Sequence, residues 1–347
     1  AQTDSTEVEE DYSKYENMAV QEGSTQTYCT QKVFGQTPSR LLGLTYEHQL
    51  GHDITTGLET EATGDDKTYR ISGASVVRAE ANFPIISRNT FIFSLGGIYT
   101  QTNYNFKEEI GTTAHPLVRS LDVSPLRNFQ VNATLFKPLN AKSFVLAQVL
   151  SEYAGNWRLS DMQPFGRTKY SALALWGRKP HDRKMWGIGL ARTFRAGELN
   201  YIPLIMFNYS SPNLKHGTEI LFPATAYYRY NISAQSIIRL GMELEGTSFN
   251  LGNTSGDGIL PVTANDPLEL RRSEIKLRAL WDVPVKGFWR TQIGLGYRLM
   301  YRYNVDQEVG GKEMLRLFGV LSDAPYFYEN KVGSAITLSA TFNLVSP

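Results

Sequence analysis

The feature that most limits how this chain can fold is alternation sustained over runs longer than ordinary strands. In 289–302 one face reads Trp289, Thr291, Ile293, Leu295, Tyr297, Leu299, Tyr301 and the other Arg290, Gln292, Gly294, Gly296, Arg298, Met300, Arg302. Side chains of a β-strand point alternately to opposite sides, so a period of two is the mark of a sheet with unlike faces. The C-terminal segment repeats the pattern. There Val332, Ser334, Ile336, Leu338, Ala340, Phe342 and Leu344 oppose Gly333, Ala335, Thr337, Ser339, Thr341 and Asn343. In 269–281 the apolar set Ile275, Leu277, Ala279 and Trp281 opposes Arg272, Glu274, Lys276 and Arg278.

Further strands are predicted at 41–50, 67–83, 90–104, 126–137, 142–153, 168–177, 185–195, 199–209 and 236–249. The stretch 217–231 reads as two short strands meeting near Pro223, because proline cannot donate to a ladder. The total is about 14 strands, within a range of 12–14. Globular strands usually run about 5–6 residues, whereas a tilted membrane-spanning strand needs roughly 9–11. Short turns near 84–89, 138–141, 178–184, 210–216, 231–235 and 282–287 alternate with longer connections at 105–125, 250–268 and 304–330. The tight link near 196–198 departs from that contrast. Short turns on one side and long loops on the other are the expected asymmetry of an outer-membrane barrel.

Aromatic residues bracket the short turns on the apolar face: Trp281 with Trp289, Trp176 with Trp186, and Phe83 with Phe91. Amphipathic rings favour the lipid–water boundary, so these six are read as a girdle. The polar face carries Arg78, Glu80, Arg239, Glu243, Glu245, Arg272, Glu274, Lys276, Arg278, Arg290, Arg298 and Arg302. With the apolar face against lipid, these twelve charges line a lumen, eight basic against four acidic. Lipid cannot satisfy open backbone groups, so such a sheet must close. The fold class expected is therefore an all-β, closed antiparallel transmembrane barrel.

Two domains are expected. Residues 1–38 form an acidic tail with little apolar periodicity, mobile or ordered only by the lumen or a partner. Residues 39–347 form the barrel. Mean hydropathy is −0.29, and no apolar run is long enough for a membrane helix. The start, Ala1-Gln2-Thr3-Asp4, looks like a mature end left by a removed export signal. Cys29 is the one cysteine among 347 residues, so no intrachain disulfide forms.

The segments Tyr201-Ile-Pro203-Leu-Ile-Met, Phe222-Pro223-Ala-Thr-Ala-Tyr227-Tyr228-Arg229-Tyr230 and Leu240-Gly241-Met-Glu-Leu-Glu-Gly246 resemble an uncharacterised outer-membrane barrel family of Bacteroidota. The likeness covers about 40–347. It implies the bacterial outer membrane and the barrel fold, and no substrate or catalytic residue.

Tests for chemistry come out negative. His48-Gln-Leu-Gly-His52-Asp53 has zinc-like helical spacing, but it reads as a strand end entering a loop and lacks the glutamate of the zincin pattern. His115, His181 and His216 fall in polar connections. No Gly-x-Ser-x-Gly elbow or phosphate loop occurs. Lys and Arg number 35 against 34 Asp and Glu, which argues against nucleic acid. No enzyme activity, cofactor or metal is expected. The loop 304–330 is apolar for a surface segment. Its Leu315, Leu317, Phe318, Tyr326, Phe327 and Tyr328 fold over the barrel mouth or pack in the lumen, or else dock another protein. Two functions follow. The first is an accessory subunit of a larger outer-membrane assembly, contacting membrane lipid or lipopolysaccharide and other outer-membrane proteins. The second is a porin-like channel for small polar or anionic solutes.

Overall fold

In the computed structural model, residues 28–57, 67–157, 167–194, 199–233, 235–251, 268–307 and 326–346 are described. They build one closed antiparallel barrel. The strands are β1 (Arg40–Thr56), β2 (Lys67–Arg88), β3 (Phe91–Phe106), β4 (Leu126–Pro138), β5 (Ser143–Gly155), β6 (Lys169–His181), β7 (Lys184–Thr193) and β8 (Asn200–Ser210). They continue with β9 (His216–Phe222), β10 (Thr225–Asn231), β11 (Ile237–Leu251), β12 (Leu268–Lys286), β13 (Trp289–Gln307), β14 (Asn330–Val332) and β15 (Ala335–Val345). β14 and β15 are two pieces of one stave, both paired with β1, so the wall has 14 staves. Every consecutive pair is antiparallel, and β1 closes the ring by pairing with both β2 and β15.

The outward face is apolar. Leu295, Ile293, Leu338, Leu240, Ile205 and Leu190 are each about half exposed, as expected of side chains that meet lipid rather than a protein core. The six aromatics of the expected girdle all lie on this face beside short turns. Trp176, Trp281, Trp289 and Phe83 are exposed, while Trp186 and Phe91 are partly covered. Trp176 meets Trp186 edge-on at 5.8 Å, and Trp289 stacks on Phe342 at 4.7 Å.

Three features differ from the sequence reading. First, β1 does not end near residue 50. It runs on to Thr56, and the His48–His52 stretch lies within it. Second, the connection 105–125 contains a helix, α1 (Pro116–Val123). Pro116 stands at its first turn, where the missing N–H costs nothing, and Leu117, Val118 and Leu121 form one buried stripe. Third, a bulge at Tyr301 resets the parity of β13. Met300 stands opposite Glu274 but Arg302 stands opposite Ser273. Arg302 therefore shares the outward side with Ser273, while Tyr303 beside it turns inward. One extra residue in a strand is sufficient to change which side chains face the lumen. The stretch 217–231 does form two short strands meeting at Pro223: β9 and β10 have only 7 residues each, short of the roughly 9–11 a spanning strand needs.

That short hairpin changes the shape of the wall. Above it, β11 loses its β10 partner after Glu243 and leans across to β5, where Asn250 pairs with Gly155. Asn250 Nδ2 donates to the Ala154 carbonyl at 3.2 Å. The inner faces of β5–β8 then close over the backs of β11 and β12, and Lys169 reaches Glu269 at 2.6 Å.

Both ends of the barrel are filled. At the long-loop end, α1 packs on Tyr69, Ile71, Tyr104, Leu270, Tyr303 and Val305 in one buried apolar cluster. At the short-turn end, Cys29 and Val33 pack with Phe136, Phe144, Leu175, Met185 and Met206.

A charge on the lipid face at mid-depth costs about 2–4 kcal/mol. Leu295→Arg should therefore lower folding stability in liposomes by about that amount, read from the urea midpoint, while Leu295→Ile should leave it unchanged. An unchanged midpoint for the arginine variant would mean that this face meets water.

Candidate functional site: a charged chamber between two plugs

The alternation that puts leucines outside puts charges inside, and the staves β1, β2, β11, β12 and β13 bring them together. They line a chamber of about 300 Å³ carrying Arg40, Arg78, Arg239, Arg272, Lys276 and Arg278 against Glu47, Glu243, Glu245 and Glu274. Lys276 is the hub. Its ammonium lies 3.2 Å from Glu47, 3.0 Å from Glu245 and 3.3 Å from Glu274. Arg278 bridges Glu243 at 3.2 Å and also Glu47. Arg272 holds Glu274 at 2.8 Å, and Arg78 reaches Glu80 at 3.5 Å and Glu245 at 3.6 Å.

The network continues along the same staves. Arg40 binds Glu80 at 3.0 Å and Gln292 at 2.8 Å. Arg239 meets Asp282 at 3.3 Å, and Arg290 donates to the Gln235 carbonyl at 2.5 Å. Arg298 donates to Gln49 at 2.6 Å and to the Gly333 carbonyl at 3.0 Å. Thus eleven of the twelve expected lumen charges point inward and hold partners there; Arg302 is the exception. Glu47, Arg40 and Asp282 were not foreseen. Glu47 lies on a strand whose neighbours on the same face are mainly uncharged, so a search for charge-rich faces passes over it.

The short-turn plug is built on another unforeseen pair. Arg229 is fully buried and binds Glu219 at 2.9 Å and Ser210 at 2.6 Å. It also donates to the Gly35 carbonyl. Gly35 has φ +68°, so the segment turns over Arg229 in a conformation that glycine adopts without strain. Thr37 donates to Glu219 from both its N–H and its hydroxyl at 2.9 Å. Lys179 donates to the Lys32 carbonyl at 2.8 Å. Burial holds the Lys32 ammonium down at about 8, partly offset by Glu219. The segment 28–39 is thus held by the barrel's own lumen.

At the long-loop plug, His115 caps α1 and accepts from the Leu117 N–H at 3.3 Å. The backbone N–H of His115 donates to the Tyr69 hydroxyl at 2.8 Å. Tyr328 meets the imidazole edge-on at 4.5 Å, bridges Val305, and is buried. Phe327 packs against the same cluster, and Tyr326 is half-buried. The described part of the apolar loop therefore turns inward over the mouth. Leu315, Leu317 and Phe318 lie outside the described residues. Burial pushes the His115 imidazole down to about 4.

His48 and His52 do not make a metal site. His52 points inward and is buried, while His48 alternates with inward Glu47 and Gln49 and faces the other way. Among the described residues no cluster of three metal-ligating side chains occurs.

No family model and no curated protein matches the chain. Solved structures similar in outline include an outer-membrane channel from Pseudomonas putida F1, at 10% identity and TM-score 0.39, covering 90% of this chain and 97% of that one. A FadL homologue from Pseudomonas aeruginosa aligns at 11% identity and TM-score 0.40, over 88% and 90% of the two chains. The KdgM porin in complex with disordered oligogalacturonate aligns at 9% identity and TM-score 0.31, over 87% and 98%. None of these likenesses bears on solute or mechanism.

Removing one member of a buried ion cluster leaves the others uncompensated, at a cost of about 3–5 kcal/mol. Lys276→Met should lower the unfolding free energy by that order, because three carboxylates lose their shared cation. Arg70→Ala breaks an exposed pair with Asp53 and should cost at most about 1 kcal/mol. Equal effects in chemical denaturation would mean that the chamber charges are solvated independently.

Proposed function

We propose that this barrel is a gated channel of the bacterial outer membrane for small polar solutes, with the outward belt against membrane lipid. The observation that carries this reading is the chamber itself, a polar, charge-lined space between two plugs that are each docked by a few replaceable contacts. A barrel built only as a scaffold gains nothing from a charged interior, since a packed apolar core of equal volume is as stable or more so.

The short-turn end is then periplasmic and the long-loop end external. Passage needs both plugs to withdraw. The 28–39 segment is tied by hydrogen bonds and a small apolar cluster; α1 is tied by its buried stripe and by the His115 cap. With six basic groups against four acidic ones around the chamber, permeation favours anions over cations. The accessory-subunit reading relied on the tail and the apolar loop as outward surfaces. The described parts of the two, 28–38 and 326–328, pack against the barrel itself, which favours the channel reading.

Two outcomes test the proposal. Deleting residues 1–36 should raise single-channel conductance in planar bilayers several-fold and give an anion-selective reversal potential in a salt gradient. A silent membrane in both forms would overturn the channel. The second outcome is pH dependence. Because burial lowers the His115 pKa, the neutral ring favours the docked helix. Its contribution is complete above the ordinary value near 6.5 and is lost as pH falls towards about 4. Open probability should rise across that window. His115→Asn, which keeps a cap but cannot titrate, should abolish the rise.

A further inference from the structure

We propose that the barrel has a second, apolar solute site in its wall, reached sideways from the bilayer and adjoining the charged chamber at Ala224 and Leu244, with a small uncharged hydrocarbon as its ligand. The site begins where β9 and β10 stop short. Along β8, only Ile205–Ser210 pair with β9, so among the described residues no strand pairs with 200–204 on that side. Across the gap, β11 beyond Leu244 likewise runs without β10. The hairpin tip at 222–225 forms the floor of this slot.

Behind the slot lies a cavity of about 100 Å³. Its lining is mainly apolar, with Leu150, Leu173, Ala191, Leu204, Leu221 and Leu244 at its centre. Leu150, Leu173, Ala191 and Leu204 belong to the inner faces of β5–β8. Leu244 alternates with Glu243 and Glu245, which face the charged chamber. Strand β11 thus stands between the two spaces, and Leu244, like Ala224 of the hairpin tip, lines both of them. The outer rim of the slot continues the lipid belt through Phe222, Ile205 and Leu240, each about half exposed. A molecule already dissolved in the membrane meets this apolar rim first, and the polar members of the cavity lining are Gln148, Ser171, Arg192 and Thr193.

The apolar surface also continues inward. Leu221 lines the cavity and packs, with Leu146, against the cluster of Leu175, Met185 and Met206 at the short-turn end. That cluster contains Cys29 and Val33 of the docked segment. An apolar track therefore runs down the inner face of β5–β9 from the slot to the plug. Hydrocarbon gains about 25 cal/mol for each Å² removed from water, but a guest from lipid starts outside water already. Selection between this site and the bilayer thus depends on shape, so a compact solute is favoured over a long lipid tail.

The test is photolabelling of the full chain in nanodiscs with a neutral diazirine-bearing octane analogue, mapped by peptide mass spectrometry. Labels on β5, β6 and β8 at Leu150, Leu173 and Leu204 should be competed at least tenfold by excess octane. Labels on the lipid-facing side of β13, around Leu295, should not. Ala191→Phe and Leu204→Trp fill the cavity and should each remove the competable label while leaving the belt label intact, which also shows that the variant has folded. Cavity labelling that octane does not compete, or that persists in both filled variants, would overturn the site. Labelling of the cavity by a diazirine phospholipid as efficiently as by the octane analogue would overturn the choice of ligand and assign the cavity to a lipid tail. Channel conductance through the charged chamber is expected to be unchanged in both variants, so failure of this proposal is separable from failure of the channel.

Discussion

The ladder between the first and last staves is the contact on which everything else rests. A strand in lipid has nowhere to place an unpaired N–H or carbonyl, so the sheet is stable only as a ring. β1 supplies the closure by pairing with β15 along Arg40–Gln49 and with β14 along Ile54–Thr56. Once the ring exists, the pleat sorts every side chain to lipid or lumen, and the two environments impose opposite chemistry on adjacent residues. The inward charges are a consequence of this sorting, and their pairing follows from it. Groups forced into a confined interior find each other, as Lys276 finds three carboxylates from β1, β11 and β12.

Closure is imperfect in one place, and that place organises the interior. The short β9–β10 hairpin cannot reach the long-loop end, so β11 must find another neighbour and takes β5. The single wide lumen becomes a charged chamber under α1 and an apolar side lobe behind β11. The same strand borders both, and Leu244 lines each of them. The two plugs use different physics. α1 is held by hydrophobic burial and one imidazole cap, whereas the 28–39 segment is held largely by hydrogen bonds to Arg229, Glu219 and Lys179.

Much of this was legible in the chain. The faces of β12, β13 and β15 and the aromatic residues beside short turns follow from period-two patterning, and so does the break at Pro223. Other elements were hidden. The apolar inner face of β5–β8 left a trace in the near-continuous apolar runs Phe144–Leu150, Ala172–Trp176 and Ile202–Phe207, which are apolar on both sides. Such runs mark a strand buried on both faces. Helix α1 left Pro116 followed by Leu117, Val118 and Leu121. Arg302 could not have been placed correctly, because a bulge depends on how two strands meet and has no fixed local signature.

The sequence by itself determined that the chain alternates, hence that it makes a two-faced sheet long enough to cross a membrane, and which residues of the unbroken strands meet lipid. It did so because that sorting is local: each residue's face follows from its neighbour's. Only the tertiary structure decided what fills the lumen. Which carboxylate meets which cation, where β11 turns aside, and what covers each mouth depend on contacts between residues such as Arg229 and Gly35, 194 positions apart. No local pattern encodes a contact of that range, because its energy exists only after the ring has closed.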